Sequence, residues 1–194
     1  MDLGSMLEVS REHFGFNIAM IYEGKKYTYV ELDQAVNAMA NHFLAAGIAR
    51  GDKVALMLPN CPEFVIAYFA AVKIGAVAVT LNIMSTSHEL INLLDDCDAK
   101  CFITEEIIAG KFEAIRNQLP LNPDLISTKG PDKECLFWDI ITKGNTSLER
   151  TELAPDDPAV MIYTAGLTGK ALGAVLTHKN LLSQSTLVRD LYHS

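Results

Sequence analysis

The residues best suited to chemistry lie together near the carboxyl end of the chain, in the segment 163–181, YTAGLTGKALGAVLTHKNL. Within positions 164–173, its hydroxyl, glycine and lysine residues are Thr164, Gly166, Thr168, Gly169, Lys170 and Gly173. Glycines let backbone N–H groups approach an anion closely. Threonine adds neutral donors, and lysine adds a positive charge on a flexible stem. This mixture suits a polyphosphate, and the alternative is a glycine-rich surface turn without function.

Two common phosphate loops do not fit this segment. A Walker loop requires a glycine five residues before the Gly-Lys pair and a hydroxyl residue after it. Here Thr164 stands at the first position and Ala171 at the second. The glycine spacing also differs from the Gly-x-Gly-x-x-Gly pattern of dinucleotide-binding folds.

The elements around this loop can be predicted from apolar runs. The run Ala159–Tyr163 indicates a buried strand, and Ala174–Leu176 indicates a second short strand. A helical pattern with leucines at 181, 182 and 187 starts at Thr177. The order strand, loop, strand and helix would place the loop at a strand end.

The loop resembles that of the adenylate-forming enzymes, which include acyl-CoA synthetases, luciferases and peptide-synthetase adenylation domains. Their pattern is close to Tyr-Thr-Ser-Gly-Thr-Thr-Gly-Lys-Pro-Lys-Gly-Val, followed by Leu-Thr-His. Three upstream segments also resemble this family and occur in its order, namely YTYVEL at 27–32, GDKVALMLPN at 51–60 and VKIGAVAVTL at 72–81. The resemblance therefore covers nearly the whole chain.

The resemblance assigns the ATP phosphates to one stretch of the loop, Thr164, Ala165, Gly166, Leu167, Thr168, Gly169 and Lys170. Ala165, Leu167, Ala171 and Leu172 replace the family's usual Ser, Thr, Pro and Lys. A hydrogen bond to a charged group contributes about 1.5–3 kcal/mol, so these replacements are expected to weaken phosphate binding.

The resemblance implies a two-step reaction with ATP, Mg and CoA as co-substrates. A carboxylate would attack the α-phosphate of ATP, and the thiol of CoA would then accept the acyl group. The segment TLNIMSTSHEL at 80–90 is most similar to fatty-acid–CoA ligases. The family's other functional motifs, including Tyr-Gly-x-Thr-Glu and a catalytic lysine, are expected beyond residue 194, so no catalytic residue is assigned. The chain is interpreted as an N-terminal fragment, inactive alone, that needs those later regions to bind its carboxylate substrate.

Two alternatives to a ligase fragment remain open. The replaced loop residues favour a pseudoenzyme or binding module with a degenerate phosphate loop. A structural domain that pairs with a separate chain is the other alternative, since an incomplete domain would leave core residues uncovered and prone to self-association.

Composition excludes several other classes of protein. The net charge of −8 and the lack of a basic run argue against nucleic-acid binding. The N-terminus has no signal-peptide pattern, which favours a cytoplasmic location.

The apolar run 64–81 is interrupted by Lys73 and Gly75, so a helix, a glycine stop and a strand are predicted instead of a transmembrane span. Neither the cysteines nor the acidic group Asp95, Asp96 and Asp98 has metal-site spacing, and no metal ligand is assigned.

The alternating strands and helices predict an α/β fold with a mostly parallel sheet and helices on both faces. The resemblance implies that this fold is the incomplete N-terminal portion of the large domain of an acyl-CoA synthetase. Residues 1–142 form the region of alternating strands and helices, 143–158 a polar linker, and 159–194 the phosphate-loop strand, loop and helix of an incomplete subdomain. Helix caps are predicted at Thr28, Asn60, Thr86 and Thr104, and a hairpin at Ile18–Tyr22 and Lys25–Tyr29. His178, beside the loop, is predicted to be structural or solvated.

Overall fold

The computed structural model describes residues 2–128, 136–164 and 171–192, with side chains to residue 187 in the last range. The helices of these ranges are α1 (Leu3–Phe14), α2 (Tyr29–Ala45), α3 (Pro62–Lys73), α4 (Ser87–Cys97), α5 (Glu106–Ile115), α6 (Leu136–Lys143) and α7 (His178–Tyr192), with a short 3-10 turn at Arg116–Gln118. The strands are β1 (Ile18–Tyr22), β2 (Lys25–Thr28), β3 (Lys53–Met57), β4 (Val77–Thr80), β5 (Ala99–Thr104), β6 (Asp124–Ser127), β7 (Pro158–Thr164) and β8 (Leu172–Thr177).

A six-stranded sheet with the order β6-β5-β3-β4-β7-β8 forms the centre of the fold. All neighbouring strands are parallel except β7 and β8, which are antiparallel. The sequence VALM in β3 is buried throughout because both faces of the sheet are covered. The predicted α/β fold is therefore confirmed, and β1 and β2 form a separate hairpin, as predicted.

Two hydrophobic clusters cover the two faces of the sheet. On one face, α1, α2, α3 and α6 contribute buried side chains such as Phe43, Ile66 and Phe137. On the other face, α4 and α5 surround Phe102 of β5 with residues such as Phe112. Helices on both faces are what parallel strands with continuous apolar sequences require.

The apolar run 64–81 folds as α3, a glycine turn and β4, which confirms the prediction. Gly75 has a φ of +78°, and a Cβ atom there would lie 2.7 Å from Cδ2 of Leu153. Both the backbone conformation and the close contact require glycine. In the described ranges, every helix is too short or too polar to cross a bilayer.

Two of the predicted helix caps are confirmed by reciprocal hydrogen bonds. The side chain of Thr28 accepts the N–H of Glu31 at the start of α2, and Glu31 accepts the N–H of Thr28. The same capping box joins Thr86 and Glu89 at α4. Because Thr28 caps the helix, β2 ends there, and Tyr29 belongs to α2 and not to the predicted strand.

The two other predicted caps are wrong. Cys61, and not Asn60, is the N-cap residue of α3, because Pro62 occupies the first helical position. Glu105 stands at the N-cap of α5, while the hydroxyl of Thr104 donates to the carbonyl of Met57 at 2.9 Å. Thr104 is the last residue of β5 and is fully buried, so its hydroxyl bonds to the neighbouring strand instead.

Helix α1 was not predicted from the sequence. Its cap is Asp2, whose carboxylate accepts the N–H of Ser5 at 2.8 Å. Leu3 and Leu7 are buried and Met6 packs against the core, whereas Val9 and Phe14 of the same helix are exposed. A helix anchored by so few apolar residues has only a weak periodic signal in the sequence.

The polar segment between α6 and β7 contains neither helix nor strand, and side chains of the body hold it in place. Asn37 donates to the carbonyl of Thr146 at 3.1 Å, and Asn41 donates to the carbonyls of Asn145 and Ser147. The segment leads into β7, which pairs with β4. The predicted division into the regions 1–142, 143–158 and 159–194 remains a prediction.

A buried ionic cluster joins the first three helices. The side chain of Lys73 is 3 % exposed, and its Nζ lies 2.7 Å from Asp33 Oδ1 and 3.2 Å from Glu8 Oε1. The same ammonium donates to Asn37 Oδ1 at 2.7 Å. Since a buried charge without a partner is costly, each member of this cluster depends on the others.

We predict that Asp33→Asn lowers the free energy of unfolding by about 3 kcal/mol, because it leaves the Lys73 ammonium buried without its nearest counter-charge. Denaturant unfolding, followed by the fluorescence of Trp138, measures the change. Asp139→Asn is the matched control, because its ion pair with Lys143 is largely exposed, and about 0.5 kcal/mol or less is expected. Equal effects of the two variants would contradict the prediction.

Candidate functional site

The carboxyl ends of the parallel strands share one edge of the sheet, and the glycine-rich loop is attached to this edge. Strand β7 ends at Thr164 and β8 begins at Leu172, and these two residues are paired across the strands. The hydroxyl of Thr164 donates to the carbonyl of Leu172 at 3.5 Å. In open α/β sheets, ligands bind outside the carboxyl ends of the strands. The attachment points of the loop therefore lie where this fold class binds ligands.

The structure places one of the predicted phosphate-binding residues, Thr164, which is exposed at the end of β7. The others, Ala165, Gly166, Leu167, Thr168, Gly169 and Lys170, lie outside the described residues. The predicted elements on both sides are confirmed, with β7 before the loop and with β8 and α7 after it. The assignment of the loop to ATP phosphates remains a prediction.

The contact between Tyr163 and Asp96 was missed by the sequence analysis. The Tyr163 hydroxyl, adjacent to the loop, donates to Oδ2 of Asp96 at 2.6 Å. Burial of the ring, followed by the hydrogen bond to Asp96, raises the pKa of Tyr163, so the phenol stays protonated. The two residues are 67 positions apart, and no local pattern indicates their contact.

A second concave region lies at the same edge of the sheet, between the hairpin and the ends of β3, β5 and β6. The cleft has a volume of about 390 Å³, and its lining residues are Tyr22, Glu23, Lys25, Tyr27, Pro59, Cys61, Pro62, Glu63, Glu105, Thr128 and Trp138. Its carboxylates raise the pKa of Tyr22, with Glu23 as the largest cause. Three carboxylates against one ammonium repel a polyphosphate, so the cleft is a poor site for ATP.

The cysteines of the described ranges are free thiols that are buried or partly buried. Cys97 and Cys101 are buried, and Cys61 is partly buried. Burial raises the pKa of both Cys61 and Cys97 to about 12, so these thiols are poor nucleophiles near neutral pH. Cys135 lies outside the described residues.

The described side chains show no arrangement suited to holding a metal ion. Within residues 2–128, 136–164 and 171–187, no group of three His, Cys, Asp or Glu residues is placed so that it could hold a metal ion. Asp95, Asp96 and Asp98 are exposed at the carboxyl end of α4, which agrees with their interpretation as a solvated helix end. No residue of the described part is therefore assigned to Mg²⁺.

His178 is a structural residue, which was one of the two predicted possibilities. Its side chain is fully buried, and its Nδ1 accepts the N–H of Leu3 at 3.2 Å. Nε2 has no hydrogen-bond partner among the described residues. Burial lowers the pKa of His178, with Asp2 and Asp157 opposing the shift, so the imidazole is held neutral between α1 and α7.

The fold and the position of the loop define an α/β protein with a mostly parallel sheet and a candidate ligand loop at its carboxyl edge. Residues 7–193 match the family model described as AMP-binding enzyme. The chain belongs to the AMP-binding enzyme family.

Individual proteins of this family are similar over nearly the whole chain. The crotonobetaine/carnitine–CoA ligase of Salmonella paratyphi A is 33 % identical in an alignment of 191 residues that covers 93 % of this chain. ATP-bound MatB from Rhodopseudomonas palustris superimposes with a TM-score of 0.86 at 28 % identity over 98 % of the chain. A fatty acyl CoA synthetase of Mycobacterium tuberculosis has a TM-score of 0.81 at 29 % identity over 91 % of the chain.

The chain spans only part of each of these proteins. The matched region is 37 % of the Salmonella ligase, 38 % of MatB and 34 % of the mycobacterial synthetase. The fold and the family are therefore established for this region. Whether the protein that contains it shares the activity of these relatives is treated below as a proposal.

We predict that acidification from about pH 7.5 to about pH 5.5 destabilises the chain in part through His178. A pKa held below the ordinary 6.5 means that the unfolded state binds more protons, so stability falls as the pH drops through 6.5. His178→Asn keeps an acceptor for Leu3 N–H but does not titrate, and should lose less stability over this range. Urea unfolding at several pH values measures this, and parallel pH profiles would contradict it.

Proposed function

We propose that this chain is the N-terminal part of an ATP-dependent, AMP-forming acid–CoA ligase, and that its loop binds the phosphates of ATP. The observation that carries the proposal is the family match over residues 7–193 together with the loop sequence that follows β7. The MatB structure contains bound ATP, and this chain aligns with MatB over 98 % of its own length.

The roles of the loop residues follow from their chemistry. Thr164 and Thr168 would donate hydroxyl hydrogen bonds, Lys170 would offset the phosphate charge, and the glycines would expose backbone N–H groups. Mg²⁺ would neutralise further phosphate charge when bound with the nucleotide. Catalysis in such a site is mainly positioning and electrostatic stabilisation.

The proposed reaction joins a carboxylic acid to CoA through an acyl-adenylate. The carboxylate displaces pyrophosphate from ATP to form the adenylate, and the CoA thiol then displaces AMP. We propose a fatty acid as the carboxylate, as the segment 80–90 suggests. The mycobacterial relative is named for fatty acyl groups and the Salmonella relative for crotonobetaine and carnitine, so a panel of acids is needed.

A second candidate function is a binding module or pseudoenzyme without ligase activity. It is favoured by Leu172, which is 62 % exposed at the start of β8, where the family usually has lysine. An exposed leucine gives up the positive charge without gaining a buried contact. The cumulative loss with Ala165 and Leu167 would weaken ATP binding and could abolish turnover.

We predict that the chain binds Mg-ATP and that Lys170→Ala weakens this binding about 10-fold or more, because it removes a charged contact with the phosphates. Isothermal titration calorimetry measures the affinity. Lys179→Ala is the matched control, since Lys179 is an exposed lysine on α7 beyond the loop, and unchanged affinity is expected.

Pyrophosphate release separates the two candidate functions. The chain alone is expected to release none with fatty acids, crotonobetaine or carnitine. A longer protein that includes this chain and the family's later motifs is expected to release pyrophosphate with one of these acids. ATP binding without release by that longer protein would favour the binding module, and no ATP binding by either would reject the assignment of the loop.

A further inference from the structure

We propose that Tyr163 and Asp96 form a positioning pair that fixes the ends of the phosphate loop and thereby strengthens ATP binding. This inference rests on the proposed function of the loop. It assigns a role to a phenol and a carboxylate that are not themselves expected to touch the nucleotide.

The hydrogen bond connects the strand end before the loop to helix α4. Tyr163 directly precedes Thr164, and its hydroxyl lies 2.6 Å from Oδ2 of Asp96 in the last turn of α4. A hydrogen bond to a carboxylate is short and about twice as strong as a neutral one. The first end of the loop is therefore tied to a helix and not only to the neighbouring strands.

The Tyr163 ring fixes the second end of the loop. Its partner across the strands is Gly173, and a Cβ atom there would lie 3.3 Å from Cε1 of Tyr163 and 3.0 Å from Sδ of Met161. Glycine thus leaves room for the ring to lie over β8. The ring and Ala171 also pack against the hydrophobic cluster of α4 and α5. One side chain therefore restrains both β7 and β8 next to the loop.

The negative charge of Asp96 makes the Tyr163 hydroxyl the hydrogen-bond donor of the pair. Burial and the carboxylate both keep the phenol protonated, so it cannot act as a base. The carboxylate of Asp96 would repel a phosphate if the two were in contact. Asp96 therefore acts by positioning the ends of the loop and not by touching the nucleotide. Because the pair holds the loop ends before any ligand arrives, it reduces the ordering that ATP binding would otherwise require.

Tyr163→Phe tests this inference, because it keeps the ring over Gly173 and removes only the hydroxyl. We expect the Kd for Mg-ATP and for inorganic tripolyphosphate to rise about 5- to 20-fold. Asp96→Asn should have a similar effect, and the double variant should be little worse than either single variant, because both remove one interaction. Tyr22→Phe is the matched control, as Tyr22 lines the separate acidic cleft, and its Kd should be unchanged.

Hydrogen exchange of the free chain provides a readout that does not depend on ATP. Tyr163→Phe should speed amide exchange in peptides covering the ends of β7 and β8, and leave exchange in β3 unchanged. Unchanged exchange would overturn the inference whether or not the chain binds ATP. Faster exchange with an unchanged Kd would show a purely structural role and would also overturn it. If the wild-type chain binds neither ligand, the proposed function of the loop fails, and with it the role of the pair in ATP binding.

Discussion

The pairing of β7 with β4 is the constraint on which the position of the candidate site depends. Val160 pairs with Ala78, and Ala159 and Val160 are buried, so β7 is fixed inside a parallel sheet. The chain reaches it from β6, at the other end of the sheet, through the segment held by Asn37 and Asn41. Once β7 is parallel to β4, its end must lie at the carboxyl edge. The loop is attached there by topology, independently of its own sequence.

Much of this fold can be predicted from the sequence, because its strongest signals are local. Strands buried on both faces appear as continuous apolar runs, and the capping boxes of α2 and α4 need only residues three positions apart. The features that were predicted wrongly or missed depend on long-range contacts. Thr104 has a good capping residue type, but the neighbouring strand offers its hydroxyl a buried partner. Helix α1 depends on contacts with distant elements, including the bond from Leu3 N–H to His178.

In the candidate site, too, local features can be predicted from the sequence and long-range contacts cannot. The residue types of the loop predict phosphate chemistry because donors, glycines and a lysine are concentrated in a few positions. Its supports are long-range contacts, such as that of Tyr163 with Asp96, which no sequence spacing reveals. A single sequence therefore indicates what the loop could bind, while the structure is needed to identify what holds the loop ends in place.

The replaced residues at the end of the loop differ in their physical consequences. Ala171 packs against the cluster of α4 and α5, so its methyl group contributes to the packing that also holds Tyr163. Leu172 is largely exposed and exchanges a charge for an apolar surface. The chain has a net charge of −8, and Asp96 binds Tyr163, the residue just before Thr164. Because the family's second lysine is replaced by Leu172, Lys170 must offset most of the phosphate charge. Affinity for ATP should therefore depend strongly on this one side chain, on Mg²⁺ and on how firmly the backbone donors are held.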